Sequence, residues 1–172
     1  MGLSLSRYAF GSLLVAVGVS KKGVVRIEQY DRNLAMRESL AGWMNQFDWQ
    51  IWFTGTFKLE FSYRDTIKTK RAFGRFIGDL RNNFHKEHIE YFMAVERFKH
   101  GDFTHVHALL NGLEGVNYPQ IGETWRSRFG IEQVEGYKKD KGAAFYLTKY
   151  VCKSICDWDL HIDKRKSHNL KF

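Results

Sequence analysis

The sequence predicts an α+β fold: a central antiparallel sheet with helices on one face and a further helix near the C-terminal end. Three observations carry this. Runs rich in aromatic and β-branched residues recur at 49–61, 89–98, 103–111 and 131–137. Between the first two, and again between the last two, lie segments with apolar residues at helical spacing. The middle two runs are separated by His100-Gly101-Asp102, which suits a hairpin turn.

In chain order, Leu34, Ala35, Met36, Leu40, Trp43 and Met44 outline a short amphipathic helix over 34–47. The stretch WQIWFTGTFKLEF (49–61) follows as a strand. Over 65–85, Phe73, Phe76, Ile77, Leu80 and Phe84 form an apolar stripe, and Lys68, Lys70, Arg71, Arg75 and Arg81 supply charge. The hairpin 89–111 comes next, then a helix over 121–129, a strand over 131–137 and a last helix over 141–156. From residue 49 the order is β-α-β-β-α-β-α. Its first six elements match the ferredoxin-like split βαβ pattern, with the last helix added to the sheet or its edge.

At 172 residues the chain suits one folded domain. Hydrophobic residues at 44% and aromatics at 16% exclude a disordered chain. A net charge of +8 and a pI near 9.5 favour a polyanionic partner, nucleic acid before an anionic membrane. The apolar stretch 8–19 is too short to span a bilayer and reads as a buried strand or hairpin; a signal-peptide core or a myristoylation pattern fits less well. Cys152 and Cys156, four apart, do not suit a disulfide on one helix. With His161 they make a poor zinc set and read as small buried thiols. Residues 1–48 form an extension of unassigned role, packed on the core or folded as a short hairpin plus helix, 49–156 the core, and 157–172 a flexible basic C-terminal tail.

Two features carry chemistry. In THVHALL, His105 and His107 project from the same strand face, and Glu96 lies nine residues earlier on the preceding hairpin strand. Two neutral imidazoles and a carboxylate suit Mn²⁺ or Mg²⁺ acting on a phosphate; a structural or merely exposed histidine pair fits the same spacing. In AFYLTKYVCK, Tyr146, Lys149, Tyr150 and Lys153 form one helical stripe, with Ala144, Leu147, Val151 and Ile155 on another side.

Together these motifs resemble the HUH endonucleases, and within them the two-tyrosine replication initiators of microvirus-type phages and small plasmids. WFTGTF (52–57) is similar to the first motif, THVHALL with Glu96 to the second, and YLTKYVCK to the third. The resemblance spans 49–156 and makes that region an endonuclease domain. It implies that His105, His107 and Glu96 hold the metal, and that Tyr146 or Tyr150 attacks a DNA phosphodiester to leave a 5′-phosphotyrosine and a 3′-hydroxyl. Both tyrosines acting in turn, or one acting while the other packs or contacts DNA, remain open. Lys149 and Lys153 offset charge in the reaction or serve as phosphate contacts.

Lys68, Arg71 and Arg75 on the basic helix, with Lys164 and Arg165 in the tail, are candidate DNA-backbone contacts; a solvated face fits the helix equally. Trp49, Trp52 and Trp125 suit base stacking, with core packing the better fit. Thr54 and Thr56 support the site rather than act in it. No G-x-x-x-x-G-K-[ST] motif occurs, so unwinding falls to a host helicase, with copying by a host polymerase, in the cytoplasm of a prokaryotic cell. The rival readings are a transposase or relaxase of the same chemistry, and a non-enzymatic nucleic-acid-binding module of ferredoxin-like fold. A third, nucleotide hydrolysis by a His-x-His-x-His set, fails because Leu109 occupies the third position.

Overall fold

The computed structural model describes residues 26–58, 60, 65–97, 103–140, 142–153 and 158–162, with the side chains of 26–33, 150, 152 and 153 outside that description. The strand or hairpin expected over 8–19, the turn at 100–102, Ile155, Lys164 and Arg165 therefore lie outside the described residues. The chain divides into two compact units, Met1–Met36 and Arg37–Phe172. The described part of the first is the opening of helix α1 (Arg26–Met44).

The second unit takes in the end of α1 and then, in order, β1 (Ile51–Phe57), α2 (Thr66–Phe84), β2 (Glu90–Arg97), β3 (Thr104–Asn111), α3 (Tyr118–Arg126), β4 (Gly130–Gly136), α4 (Ala143–Lys153) and β5 (Trp158–His161). The sheet order is β4-β1-β3-β2-β5, and every neighbouring pair is antiparallel. β1 and β2 thus run in the same direction with β3 between them. This is the split βαβ arrangement of a ferredoxin-like α+β fold, with a fifth strand on the β2 edge.

Strand alternation gives the sheet two apolar faces. One carries Ile51, Phe53, Met93, Val95, Val106, Ala108 and Leu110 against α2 and α3. Helix α2 fits because Ala72, Phe73, Phe76, Ile77 and Leu80 recur on one side and are buried. Asp65 caps its first turn by accepting the Ile67 N–H at 2.8 Å. Phe53 stacks on Phe76 with ring centroids 4.7 Å apart, and Trp125 meets both edge-on. A glycine at 55 makes this possible, since a Cβ there would lie 2.6 Å from the Trp125 ring.

The opposite face carries Phe92, Ala94 and Leu109 and is covered by Ala144, Leu147 and Val151 of α4, with Ala41 and Met44 of α1, Phe47 and Trp49. The last helix therefore lies over the second face, not at an edge. Arg37 fastens it, donating to the Phe145 carbonyl at 3.2 Å with its guanidinium 4.1 Å from the Phe145 ring centroid.

Four boundaries differ from the sequence expectation. Helix α1 starts at Arg26, eight residues before the apolar pattern begins. The sheet-bearing unit starts at Arg37 and not at residue 49, and Ala41, Met44 and Phe47 pack on the core, one of the two arrangements expected for 1–48. Helix α3 starts at Tyr118, because Asn117 and Gln120 form a reciprocal capping box with Pro119 in the first turn. The basic tail assigned to 157–172 contains β5, which pairs with β2 from Tyr91↔His161 to Ala94↔Trp158. Cross-strand aromatic contact supports this short strand, with Tyr91 stacked on His161 at 5.5 Å.

Candidate active site

The second face of the sheet ends in a polar cluster. On β1, Trp52, Thr54 and Thr56 share that face; on β3 it is His105 and His107, and on β2 it is Glu96. The register places Thr54 opposite His107 and Thr56 opposite His105, with Glu96 opposite His105 on the other side. Each imidazole then meets a threonine: Thr56 Oγ1 is 2.8 Å from His105 Nδ1, and Thr54 Oγ1 is 3.2 Å from His107 Nδ1. His107 Nε2 lies 3.1 Å from Glu96 Oε2. With Nδ1 of both rings engaged by hydroxyls, Nε2 is the nitrogen through which each would ligate a cation.

Burial holds both imidazoles below the ordinary histidine value. At His105 the neighbouring His107 acts in the same sense, and Glu96 opposes it. At His107 the hydrogen bond and charge of Glu96 oppose burial, and the Lys149 ammonium reinforces it. Both rings are accordingly neutral near pH 7, the form that binds a cation.

Helix α4 brings the third motif to the same place. Ala144, Leu147 and Val151 are buried, which turns Tyr146 outward to 47% exposure. Its ring meets Trp52 edge-on at 5.8 Å, and the Lys149 ammonium sits 5.4 Å from the Tyr146 centroid. Trp52 in turn lies 6.1 Å from the His107 ring and donates its indole N–H to Thr54 Oγ1 at 3.2 Å. Tyr150 and Lys153 follow Tyr146 on the helix at positions four and seven residues on, and their side chains lie outside the described residues.

Residues 50–155 match the sequence family described as Replication-associated protein ORF2/G2P. The chain belongs to that family. Membership assigns it to DNA replication, with DNA as a partner. No curated protein matches it. Among solved structures it is similar to the hypothetical protein ORF119 from Sulfolobus islandicus rod-shaped virus 1. The two are 17% identical over 73% of this chain and 97% of that one, with a TM-score of 0.46. No described helix is long and apolar enough to cross a membrane.

In this family member, the donor set of His105, His107 and Glu96 fits a divalent cation in kind: two neutral nitrogens and a carboxylate oxygen. The side chains do not converge on one point, since the two imidazole centroids are 6.4 Å apart and His107 Nε2 is hydrogen-bonded to Glu96. Among the described residues no three His, Cys, Asp or Glu side chains form a ready-made metal cluster. Ligation would replace the His107–Glu96 hydrogen bond.

Other candidates lie elsewhere. Lys68, Arg71 and Arg75 are exposed on α2, across the sheet from the histidines, so they do not join this cluster. Trp49 and Trp125 are core residues. His161, weighed as a partner of the two cysteines, stacks on Tyr91, and the cysteine side chains lie outside the described residues. Trp52 packs against the core of the second face, as its better-fitting reading has it, and it also borders the cluster. The signal for that second place is its parity: it alternates with Phe53 and so shares a face with Thr54 and, through the register, with His107.

Proposed function

We propose that this protein is a replication initiator of the HUH type, which nicks and rejoins single-stranded DNA at an origin in rolling-circle replication. The carrying observation is the convergence on one sheet face of three segments distant in sequence: Trp52 and Thr54 of β1, His107 with Glu96 of the hairpin, and Tyr146 of α4. Family membership supports the replication role.

In this reading the Tyr146 hydroxyl oxygen attacks the phosphorus of a phosphodiester. The new bond is P–O(Tyr), the bond to the 3′ oxygen breaks, and that oxygen leaves as a 3′-hydroxyl after taking a proton. The 5′ end stays on the protein as a phosphotyrosine, so the bond energy is kept for rejoining when a 3′-hydroxyl attacks in reverse. Tyr150, about one turn along the helix, is the candidate for the second transfer. Lys149 beside the Tyr146 ring, and Lys153 one turn beyond it, offset the negative charge of the phosphate. His105, His107 and Glu96 would hold Mn²⁺ or Mg²⁺, which when bound supplies Lewis-acid polarisation of the scissile phosphate. Lys164 and Arg165 add affinity for the DNA backbone. The setting is a small replicon in a prokaryotic cytoplasm, with host helicase and polymerase as partners.

The test incubates the protein with a pool of labelled single-stranded oligonucleotides and Mn²⁺, then runs a denaturing gel. A labelled adduct at protein size that disappears with EDTA and in the Tyr146→Phe/Tyr150→Phe double variant is the expected result. An adduct undiminished in the double variant excludes these nucleophiles. DNA binding with no adduct across origin-bearing pools favours the non-enzymatic binding module.

A further inference from the structure

We propose that Thr54, held by Trp52, is a positioning residue that keeps Nδ1 of His107 hydrogen-bonded in either tautomer, so that Nε2 can pass from the Glu96 carboxylate to a cation. The inference rests on the metal-site reading above, but its first consequence is a property of the protein alone.

A neutral imidazole has one N–H and one bare nitrogen, and its surroundings decide which is which. His107 Nε2 faces the Glu96 carboxylate at 3.1 Å, and a carboxylate only accepts. That contact favours the Nε2–H tautomer, which leaves Nδ1 to accept a hydrogen bond. Thr54 Oγ1, 3.2 Å from Nδ1, is the donor that this tautomer needs. A cation requires the other tautomer, with a lone pair at Nε2 and the proton at Nδ1. A hydroxyl serves both: it donates to bare Nδ1 and accepts from Nδ1–H after rotating. A carbonyl or a carboxylate in its place would only accept, and a methyl would do neither.

Trp52 limits how that hydroxyl rotates. Its indole N–H occupies one lone pair of Thr54 Oγ1, leaving one lone pair and one proton to share with His107. The same indole packs edge-on to Tyr146 and beside the His107 ring. One side chain thus spaces the candidate nucleophile from the candidate ligand while tethering the hydroxyl that orients the ligand. Thr56 repeats the contact at His105, at 2.8 Å, but no indole donation to its hydroxyl is among the described contacts.

The experiment uses the full chain, uniformly ¹⁵N-labelled, and measures long-range ¹⁵N–¹H spectra of the imidazoles at pH 7.5 without added metal. Mn²⁺ affinity is measured separately by EPR titration. Wild type is expected to show His107 as one dominant Nε2–H tautomer. Thr54→Val, close in shape, removes the hydroxyl from Nδ1 and should shift the Nδ1 signal and lower Mn²⁺ affinity about 10–100-fold. Thr54→Ser should restore both, which a purely structural role for the methyl would not allow. Trp52→Phe keeps the ring contacts, removes the N–H, and should move the same signals in the same direction by less. Wild-type His107 spectra in both Thr54→Val and Trp52→Phe overturn the proposal. If the spectra change as expected while His107→Ala binds Mn²⁺ like wild type, the positioning stands and the metal reading falls.

Discussion

Thr54 on β1 and His107 on β3 are direct cross-strand partners, and the threonine hydroxyl lies 3.2 Å from the imidazole Nδ1. The contact follows from register: strands that pair in this phase put Thr54 and Thr56 of the first motif beside the two histidines of the second. A one-residue slip would turn Phe53 and Gly55 toward the histidines and bury the threonines under α2. The geometry of the candidate site is therefore held by the whole β1–β3 ladder, not by a loop.

Removing the imidazole should separate chemistry from binding. In the proposed mechanism His107→Ala is expected to lower the rate of adduct formation by about 100-fold or more, because losing a ligand would forfeit several kcal/mol of charge stabilisation. Affinity for single-stranded DNA should change little, since backbone contacts dominate it. Single-turnover gels and filter binding at one salt concentration measure the two quantities. A variant that keeps wild-type single-turnover rates removes His107 from the mechanism.

The buried histidines also predict how stability depends on pH. Both are held below the ordinary value, primarily by burial, so the native state resists protonation that the unfolded chain accepts. Above about pH 6.5 both states carry neutral rings and these groups contribute no pH dependence. As pH falls below that value, the unfolded chain takes up protons first and stability drops, until the native rings protonate as well. Thermal melts from about pH 8 to about pH 5 should show Tm falling in this window, with a shallower fall in His105→Gln/His107→Gln. A Tm that rises on acidification contradicts the assignment.

Much of this arrangement is legible in the sequence, for identifiable reasons. The strands of the split βαβ core announce themselves through aromatic and β-branched runs, and α2 through a stripe from Phe73 to Leu80. His105 and His107 share a face by parity alone. What escapes the reading depends on partners distant in the chain. β5 has only four residues, and its stability comes from Tyr91 and Phe92 on β2, which rings at His161 and Trp158 cover. The start of α1 carries no apolar stripe to mark it. Trp52 looks like core by composition, and only the register and the position of α4 place it between Tyr146 and His107.

Gly55 offers a test of packing. An added Cβ would stand 2.6 Å from Trp125 Cζ2 and 2.9 Å from Phe53 Cε1, both in the core of the first face. Trp125 and Phe53 are fully buried, so the methyl can be admitted only by shifting core side chains. Gly55→Ala should cost about 1–3 kcal/mol through overpacking. Calorimetry should report this as a Tm lowered by several degrees, about 2–4 °C per kcal/mol for a chain of this size. An unchanged Tm would mean that the Trp125 ring has room to move.

The basic stripe on α2 yields the sharpest separation of roles. Lys68, Arg71 and Arg75 are exposed on the helix that packs against the first face, whereas the histidines and Tyr146 belong to the second. In the proposed mechanism the reacting phosphate lies at the cluster on the second face; if these side chains bind DNA, they hold a segment on the other side of the sheet. Replacing all three with alanine should then weaken DNA affinity without altering the single-turnover rate at saturating DNA. Each lost phosphate contact flattens the slope of log affinity against log salt by about 0.7 for single strands and about 0.9 for duplex. A slope shallower by about 2 to 3 therefore marks all three as contacts, and its size on each substrate tells which form of DNA they grip. An unchanged slope assigns the stripe to solvent. A slowed saturated rate would instead mean that these residues act at the chemical step despite lying across the sheet, and the proposed location of the site would have to be abandoned.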